Sequence, residues 1–200
     1  MEFDVAILGG GSAGYAAAST AQSYGAKVAI VDPGPLGGLC ILRGCMPTKT
    51  ILRSSDILSL MRRAKEFGLI PVEPVADLAA INDRKNRLIA EFTDYRVKQL
   101  KDSRFTLIQE KAEFISSNNI QVGPKTLKAN KFIIATGSVV ANYPIPGLEE
   151  TGFITSDDIL TMREAPESII VLGAGAVAVE LAQFFLRIGT SVTLIQRSGH

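Results

Sequence analysis

The sequence has little of what many hydrolases and metal sites are built from. Of its 200 residues one is histidine and two are cysteine, and the histidine is His200. A serine–histidine triad or a two-histidine metal site within this chain is therefore all but excluded. Neither sign of charge dominates: 21 Lys and Arg face 20 Asp and Glu, a net charge of +1, with no basic block. That balance speaks against nucleic acid or an anionic membrane as a partner. No apolar run reaches the length of a membrane span. Residues 5–18 are small and apolar, but Glu2 and Asp4 stand where a signal peptide would carry basic residues. A cytoplasmic location is expected, and there a cysteine pair is more often catalytic than structural. What remains, 46% hydrophobic and 20% charged, is an ordinary globular composition with room for one or two domains.

Both cysteines lie in Gly37-Gly38-Leu39-Cys40-Ile41-Leu42-Arg43-Gly44-Cys45-Met46-Pro47-Thr48-Lys49. Proline is tolerated in the first turn of a helix, and Ile51, Ile57, Leu58, Met61 and Ala64 follow at roughly helical spacing. The pattern predicts a helix that opens at Cys45 and ends near Gly68. At a helix N-terminus the peptide dipoles favour negative charge on sulfur. Lys49 adds positive charge one turn on, and Arg43 lies between the cysteines. Cys40 is expected in a glycine-flanked loop. The arrangement suits a reactive dithiol, the alternatives being an inert disulfide or two buried thiols.

Ahead of this stretch, residues 3–8 read as a strand, followed by Gly9-Gly10-Gly11-Ser12-Ala13-Gly14, a helix to Tyr24, a stop at Gly25, a strand over 27–31, and Asp32. Strand, Gly-x-Gly-x-x-Gly, helix, strand and acid in this order form a dinucleotide fingerprint. The glycines allow a tight turn, approach of a pyrophosphate and close helix packing, and the acid suits a ribose hydroxyl. Gly9, Gly11, Ser12, Ala13, Gly14 and Asp32 are the candidate ligands.

Pro71 and Pro74 then mark a loop, and a long helix is expected from Asp77 or nearby, its many cations forming a solvated face. Residues 105–127 read as a small antiparallel meander covering the nucleotide sheet, with turns at Asn118-Asn119 and Gly123-Pro124. Residues 131–135 read as a buried strand ending in Thr136-Gly137, where glycine permits close approach of a ligand. Residues 143–147 form a stiff linker, and Ser156-Asp157-Asp158 cap a short helix. A second fingerprint follows: a strand over 169–172, Gly173-Ala174-Gly175-Ala176-Val177-Ala178, a helix to Ile188, Gly189, and a strand over 191–195. After it stand Gln196 and Arg197 in place of an acid, which favours a nicotinamide carrying a 2′-phosphate. The expected fold is α/β: a doubly wound Rossmann-like domain with a small meander over 1–147, then the beginning of a second such domain over 148–200.

The cysteine stretch and the two fingerprints together resemble the pyridine nucleotide–disulfide oxidoreductases, the family of mercuric reductase, dihydrolipoamide dehydrogenase and glutathione reductase. Both cysteines, Gly44, Pro47 and Lys49 match its redox motif; Leu39 and Ile41-Leu42-Arg43 depart from it. The resemblance implies an enzyme that passes electrons from NAD(P)H through FAD to a Cys40–Cys45 disulfide and on to a small-molecule or disulfide substrate. It implies that Cys45 is the flavin-proximal thiol and Cys40 the interchange thiol, and that Lys49 lies near the flavin and pairs with Glu180. It also implies that Gly38, Thr136 and Gly137 border the FAD, and that Gly173, Gly175, Ala178 and Arg197 hold NADP, with NAD the alternative. No metal is implied. The first expectation for the substrate is mercuric ion, the second lipoamide; Ala176 stands where glutathione reductases carry a lid tyrosine. The chain reads as the N-terminal part of a longer homodimeric enzyme. The readings from other classes are a flavin-binding module without turnover, and a thiol carrier of a soft metal.

Overall fold

The computed structural model describes residues 1–141, 144–197 and 199, so the expectations placed on Tyr143 and His200 lie outside the described residues. The chain forms two compact units: residues 1–44 with 89–139, and residues 45–88 with those from Val140 on. The fold is the expected α/β one, with mostly parallel sheets.

In the first unit, β1 (Glu2–Leu8), α1 (Ser12–Ser23) and β2 (Val28–Val31) follow the sequence reading closely. After them come α2 (Gly38–Leu42), residues 89–100 of α4 (Leu78–Leu100), β3 (Thr106–Ile108), β4 (Ala112–Ser116), β5 (Asn119–Val122) and β6 (Lys125–Ile134). The strands form one sheet in the order β3-β2-β1-β6-β5-β4. β3, β2, β1 and β6 are parallel, whereas β5 and β4 run antiparallel. Strands of a doubly wound sheet bury both faces, and β2 does so: Val28 and Ile30 pack with Ile7, Ala18, Leu36, Leu100 and Phe105, while Ala29 and Val31 pack with Phe3, Leu8, Ile120 and Leu127.

Two expectations about this sheet are corrected. The apolar run beginning at Phe105 does not join the meander. Its strand, β3, pairs in parallel with β2, Ala29 opposite Thr106 and Val31 opposite Ile108. Nor are residues 125–134 a hairpin arm followed by a separate buried strand. They form the single strand β6, pairing with β5 on one side and β1 on the other. Its last residues are not buried: Ile133 is 38% and Ile134 69% exposed.

The second unit contains α3 (Cys45–Arg62), a 3-10 turn at Ala64–Phe67, residues 78–88 of α4, α5 (Ser156–Ile159), β7 (Ser168–Leu172), α6 (Ala176–Ile188) and β8 (Ser191–Ile195). β7 and β8 pair in parallel. The core joins α3, α4, α5 and α6 through Ile51, Leu52, Leu78, Ile159, Leu181, Phe184 and Phe185. α5 is capped by Thr155, one residue before the expected position, in a reciprocal box with Asp158.

Contrary to the solvated face expected from the sequence, the cations of α4 are not all solvated. Lys85 is 4% exposed, and its ammonium donates to the Leu160 carbonyl. Beside it, Asn82 Nδ2 donates to the Met162 carbonyl at 2.7 Å. Both acceptors lie at or just past the C-terminal end of the short α5, where carbonyls lack helical partners. Burial pushes the Lys85 ammonium below the ordinary lysine range, against the opposing pull of Asp83. Among the described residues no helix is long and apolar enough to cross a membrane.

Candidate functional site

The first fingerprint turns the chain from β1 into α1. Gly9 takes φ +105° and its N–H donates to the Val31 carbonyl at 2.8 Å; the Tyr15 N–H then donates to the Gly11 carbonyl at 2.9 Å. The second fingerprint repeats this geometry. Gly173 takes φ +103°, its N–H donates to the Ile195 carbonyl at 2.8 Å, and the Val179 N–H donates to the Gly175 carbonyl at 3.0 Å. They differ at the third small residue. A Cβ on Gly14 would lie 1.8 Å from the Gly9 carbonyl oxygen, so nothing larger than glycine fits, whereas Ala178 occupies the matching place in the second unit.

Asp32 follows β2. Its Oδ2 accepts the Gly10 N–H at 2.6 Å and its Oδ1 the Gly34 N–H at 2.8 Å. The carboxylate thus ties the glycine turn to the loop after β2, with acceptor capacity to spare for hydroxyl donors. Sequence order runs from β1 outward to β3 on one side and returns to β6 on the other, so the carboxyl ends of β1 and β6 flank a topological switch point, where open α/β sheets bind ligands.

A cleft of about 670 Å³ opens there. Leu8 and Gly9, Val31 and Asp32, Glu110 and Lys111, and Thr136 and Ser138 bring the ends of all four parallel strands to it. The wall is completed by Gly38, Leu39, Leu42 and Arg43 of the cysteine stretch. The glycine cradle, the acid at the end of β2 and the exposed first turn of α1 fit the pyrophosphate and ribose of a dinucleotide such as FAD. Glu110, Lys111 and Ser138 were not among the sequence candidates. Assigning β3 to the parallel sheet would have found the first two, because the end of β3 then lies beside Asp32, whose N–H donates to the Ile108 carbonyl at 3.0 Å.

Cys40 does not sit in a loop. It lies half-buried within α2, because Gly37 and Gly38, at φ +132° and +76°, fold the chain directly into a helical turn. Gly137, φ +78°, approaches this turn across the cleft: its Cβ position is 4.0 Å from the Leu39 Cβ.

The remaining candidates belong to the second unit. Cys45 is exposed and is the first residue of α3, with Pro47 in the first turn. Lys49, one turn on, donates to Glu180 Oε1 of α6. Gly173, Gly175 and Ala178 shape the turn into α6, and Arg197 lies exposed beyond β8.

Comparison with known proteins gives this geometry a context. Residues 3–200 match the family described as pyridine nucleotide-disulphide oxidoreductase. The chain is 38% identical over 198 residues to a mercuric reductase of Staphylococcus aureus, covering 98% of this chain and 36% of that protein. It is 35% identical over 200 residues to a dihydrolipoyl dehydrogenase of Acholeplasma laidlawii, covering 98% of this chain and 60% of the relative. Among solved structures, the Cu(II) complex of the HOCl-induced flavoprotein disulfide reductase RclA from Escherichia coli matches with a TM-score of 0.82 at 27% identity, over 98% of this chain and 42% of that one. The chain thus spans between about a third and three-fifths of the relatives it resembles.

Proposed function

Because the chain belongs to the pyridine nucleotide-disulphide oxidoreductase family, we propose that it is the flavin and dithiol part of an enzyme moving electrons from NAD(P)H, through FAD, to a Cys40–Cys45 disulfide and then to a substrate. The observation that carries this reading is that one cleft is walled both by the first fingerprint and by the turn that holds Cys40. In this reading residues 1–147 hold FAD and residues 148–200 begin the NAD(P)-binding half.

Bound FAD would supply a two-electron carrier that accepts hydride from a nicotinamide and reduces a disulfide. The chain's own residues hold, orient and poise. The first turn of α1 offers N–H groups to the phosphates. Asp32, fixed by the Gly10 and Gly34 N–H groups, offers its free lone pairs to ribose hydroxyls. Cys45 stands where helix dipoles favour negative charge, and Glu180 holds the Lys49 ammonium one turn away. Cys40, outside that helix, exchanges with the substrate. Arg197, exposed past β8, is the proposed partner of a 2′-phosphate, and NADPH the proposed donor. The working enzyme is proposed to be a cytoplasmic homodimer.

Mercuric ion is the proposed terminal acceptor and lipoamide the second reading; similarity to both kinds of relative supports the pair. The test uses the full-length protein. It should purify yellow, and anaerobic NADPH should raise the count of titratable thiols by two per flavin. An unchanged thiol count ends the proposal. Turnover with Hg(II) against turnover with lipoamide then separates the two substrates.

A further inference from the structure

Gly38 and Gly11 touch backbone to backbone. At φ +76°, a Cβ on Gly38 would stand 2.3 Å from the Gly11 Cα and 3.3 Å from its N, and a Cβ on Gly11 would stand 3.5 Å from the Gly38 Cα. Gly11 caps α1 and so belongs to the phosphate loop. Gly38 is the first residue of α2, and Cys40 follows two residues later in the same turn. On the far side of that turn Gly44 closes in, its Cβ position lying 3.1 Å from the Leu39 carbonyl oxygen and 3.3 Å from the Cys40 Cα. Cys40 is thus held in a turn seated between glycine backbones, with no side chain in either contact that could change rotamer and absorb a shift.

From this we propose that the Gly11–Gly38 contact couples the phosphate loop to Cys40: filling the loop sets the position, and with it the reactivity, of the Cys40 thiol. The proposal rests on the flavin-binding reading of the cleft. Close-packed contacts transmit displacement because they have little compressibility. A diphosphate drawn onto the N–H groups around Gly11 bears on the backbone against which Gly38 is seated. Thiol exchange depends on access and on the direction of approach to sulfur, so a small rotation of the α2 turn changes the rate. Gly38 and Gly11 are positioning residues in this scheme, acting through Cys40 without touching the reacting atoms.

The test separates this coupling from simple cover by the flavin ring by using ADP, which carries the diphosphate and adenosine but no ring. Full-length enzyme is stripped of flavin and its dithiol reduced. Alkylation of Cys40 by iodoacetamide is then followed by peptide-resolved mass spectrometry, with and without ADP at a concentration shown by calorimetry to saturate each variant. In the wild type ADP should change the Cys40 rate at least threefold. Gly38→Ala should remove that response and weaken ADP binding about tenfold or more. Gly37→Ala is the control for turn strain: its φ is +132°, but its Cβ would meet only the Leu42 side chain, at 3.2 Å, and it should keep the response. If wild-type protein binds ADP and the Cys40 rate does not change, the coupling is overturned and the flavin reading stands. If neither ADP nor FAD binds, both fall. Equal loss in Gly37→Ala and Gly38→Ala overturns the specific contact. The wild-type comparison decides the matter even where Gly38→Ala does not fold.

Discussion

Lys49 of α3 donates a hydrogen bond to Glu180 of α6, joining two helices of one unit through side chains that are 61% and 35% exposed. An ion pair with that exposure contributes less than about 1 kcal/mol to stability, so holding the helices together is a poor account of it. Glu180→Gln is expected to leave urea stability within about 1 kcal/mol while slowing NADPH-dependent reduction of the flavin in stopped-flow. A large stability loss with unchanged reduction would make the pair structural.

The two cysteines should answer differently. On the proposed function, Cys40→Ser in the full-length enzyme should leave Cys45, at the first turn of α3, as the thiol that interacts with oxidised flavin. A broad long-wavelength absorption band is expected in that variant and not in Cys45→Ser, and both should lose disulfide-dependent turnover. Absorbance spectra of the two proteins decide it, and the reverse pattern would exchange their roles.

Arg197 is proposed to carry the choice of nicotinamide. A charge-assisted contact to the 2′-phosphate contributes about 1.5–3 kcal/mol, which is roughly a ten- to hundredfold preference. Arg197→Ala should lower kcat/KM for NADPH by that factor and leave NADH nearly unchanged. Equal values for both donors in the wild type would refute this.

The matched fingerprints predict an asymmetry. Gly14→Ala forces a methyl group against the Gly9 carbonyl, only 1.8 Å away, and overpacking of this kind costs about 1–3 kcal/mol. Loss of bound flavin and a lower Tm are expected. Ala178→Gly removes a methyl where the looser turn already accepts one, so flavin content should be unchanged.

Lys85 gives stability a pH signature. Its ammonium is buried, and its pKa lies below the unfolded value of 10.5. The folded state therefore binds fewer protons than the unfolded state in the window between those two values. The cost of burying the charge is fully present below the folded pKa and is relieved as pH rises through the window. Denaturant titrations of wild type and Lys85→Met from neutral pH to 10.5 should show the difference shifting toward the wild type. A difference independent of pH would mean that the lysine titrates normally.

The parts legible in the sequence are those fixed by neighbours along the chain. β1, the glycine turn, α1, β2 and Asp32 lie within about thirty residues, and each carries its own local signal. The helix opening at Cys45 was likewise marked by Pro47 and apolar spacing. The parts not legible are set by distant partners. β3 has only three residues, and its parallel pairing depends on β2. The polar residues Lys128, Asn130 and Lys131 break the apolar pattern of β6, and its continuity is fixed by β1 and β5. Lys85 looks like a surface cation until the Leu160 carbonyl, 75 residues on, is placed beside it. In the cleft, Glu110 and Lys111 were missed for the reason β3 was misread.

The pairing of β1 with β6, Phe3 opposite Ala129 and Leu8 opposite Ile134, sets a timetable for synthesis. A ribosome adding about 5–20 residues per second takes roughly 6–25 s to travel from one strand to the other. During that interval β1 and β2 have been made, but one edge of β1 has no neighbour. Unpaired strand edges recruit other chains, so a nascent chain halted between β2 and β6 is expected to aggregate more readily than one in which β6 has paired with β1.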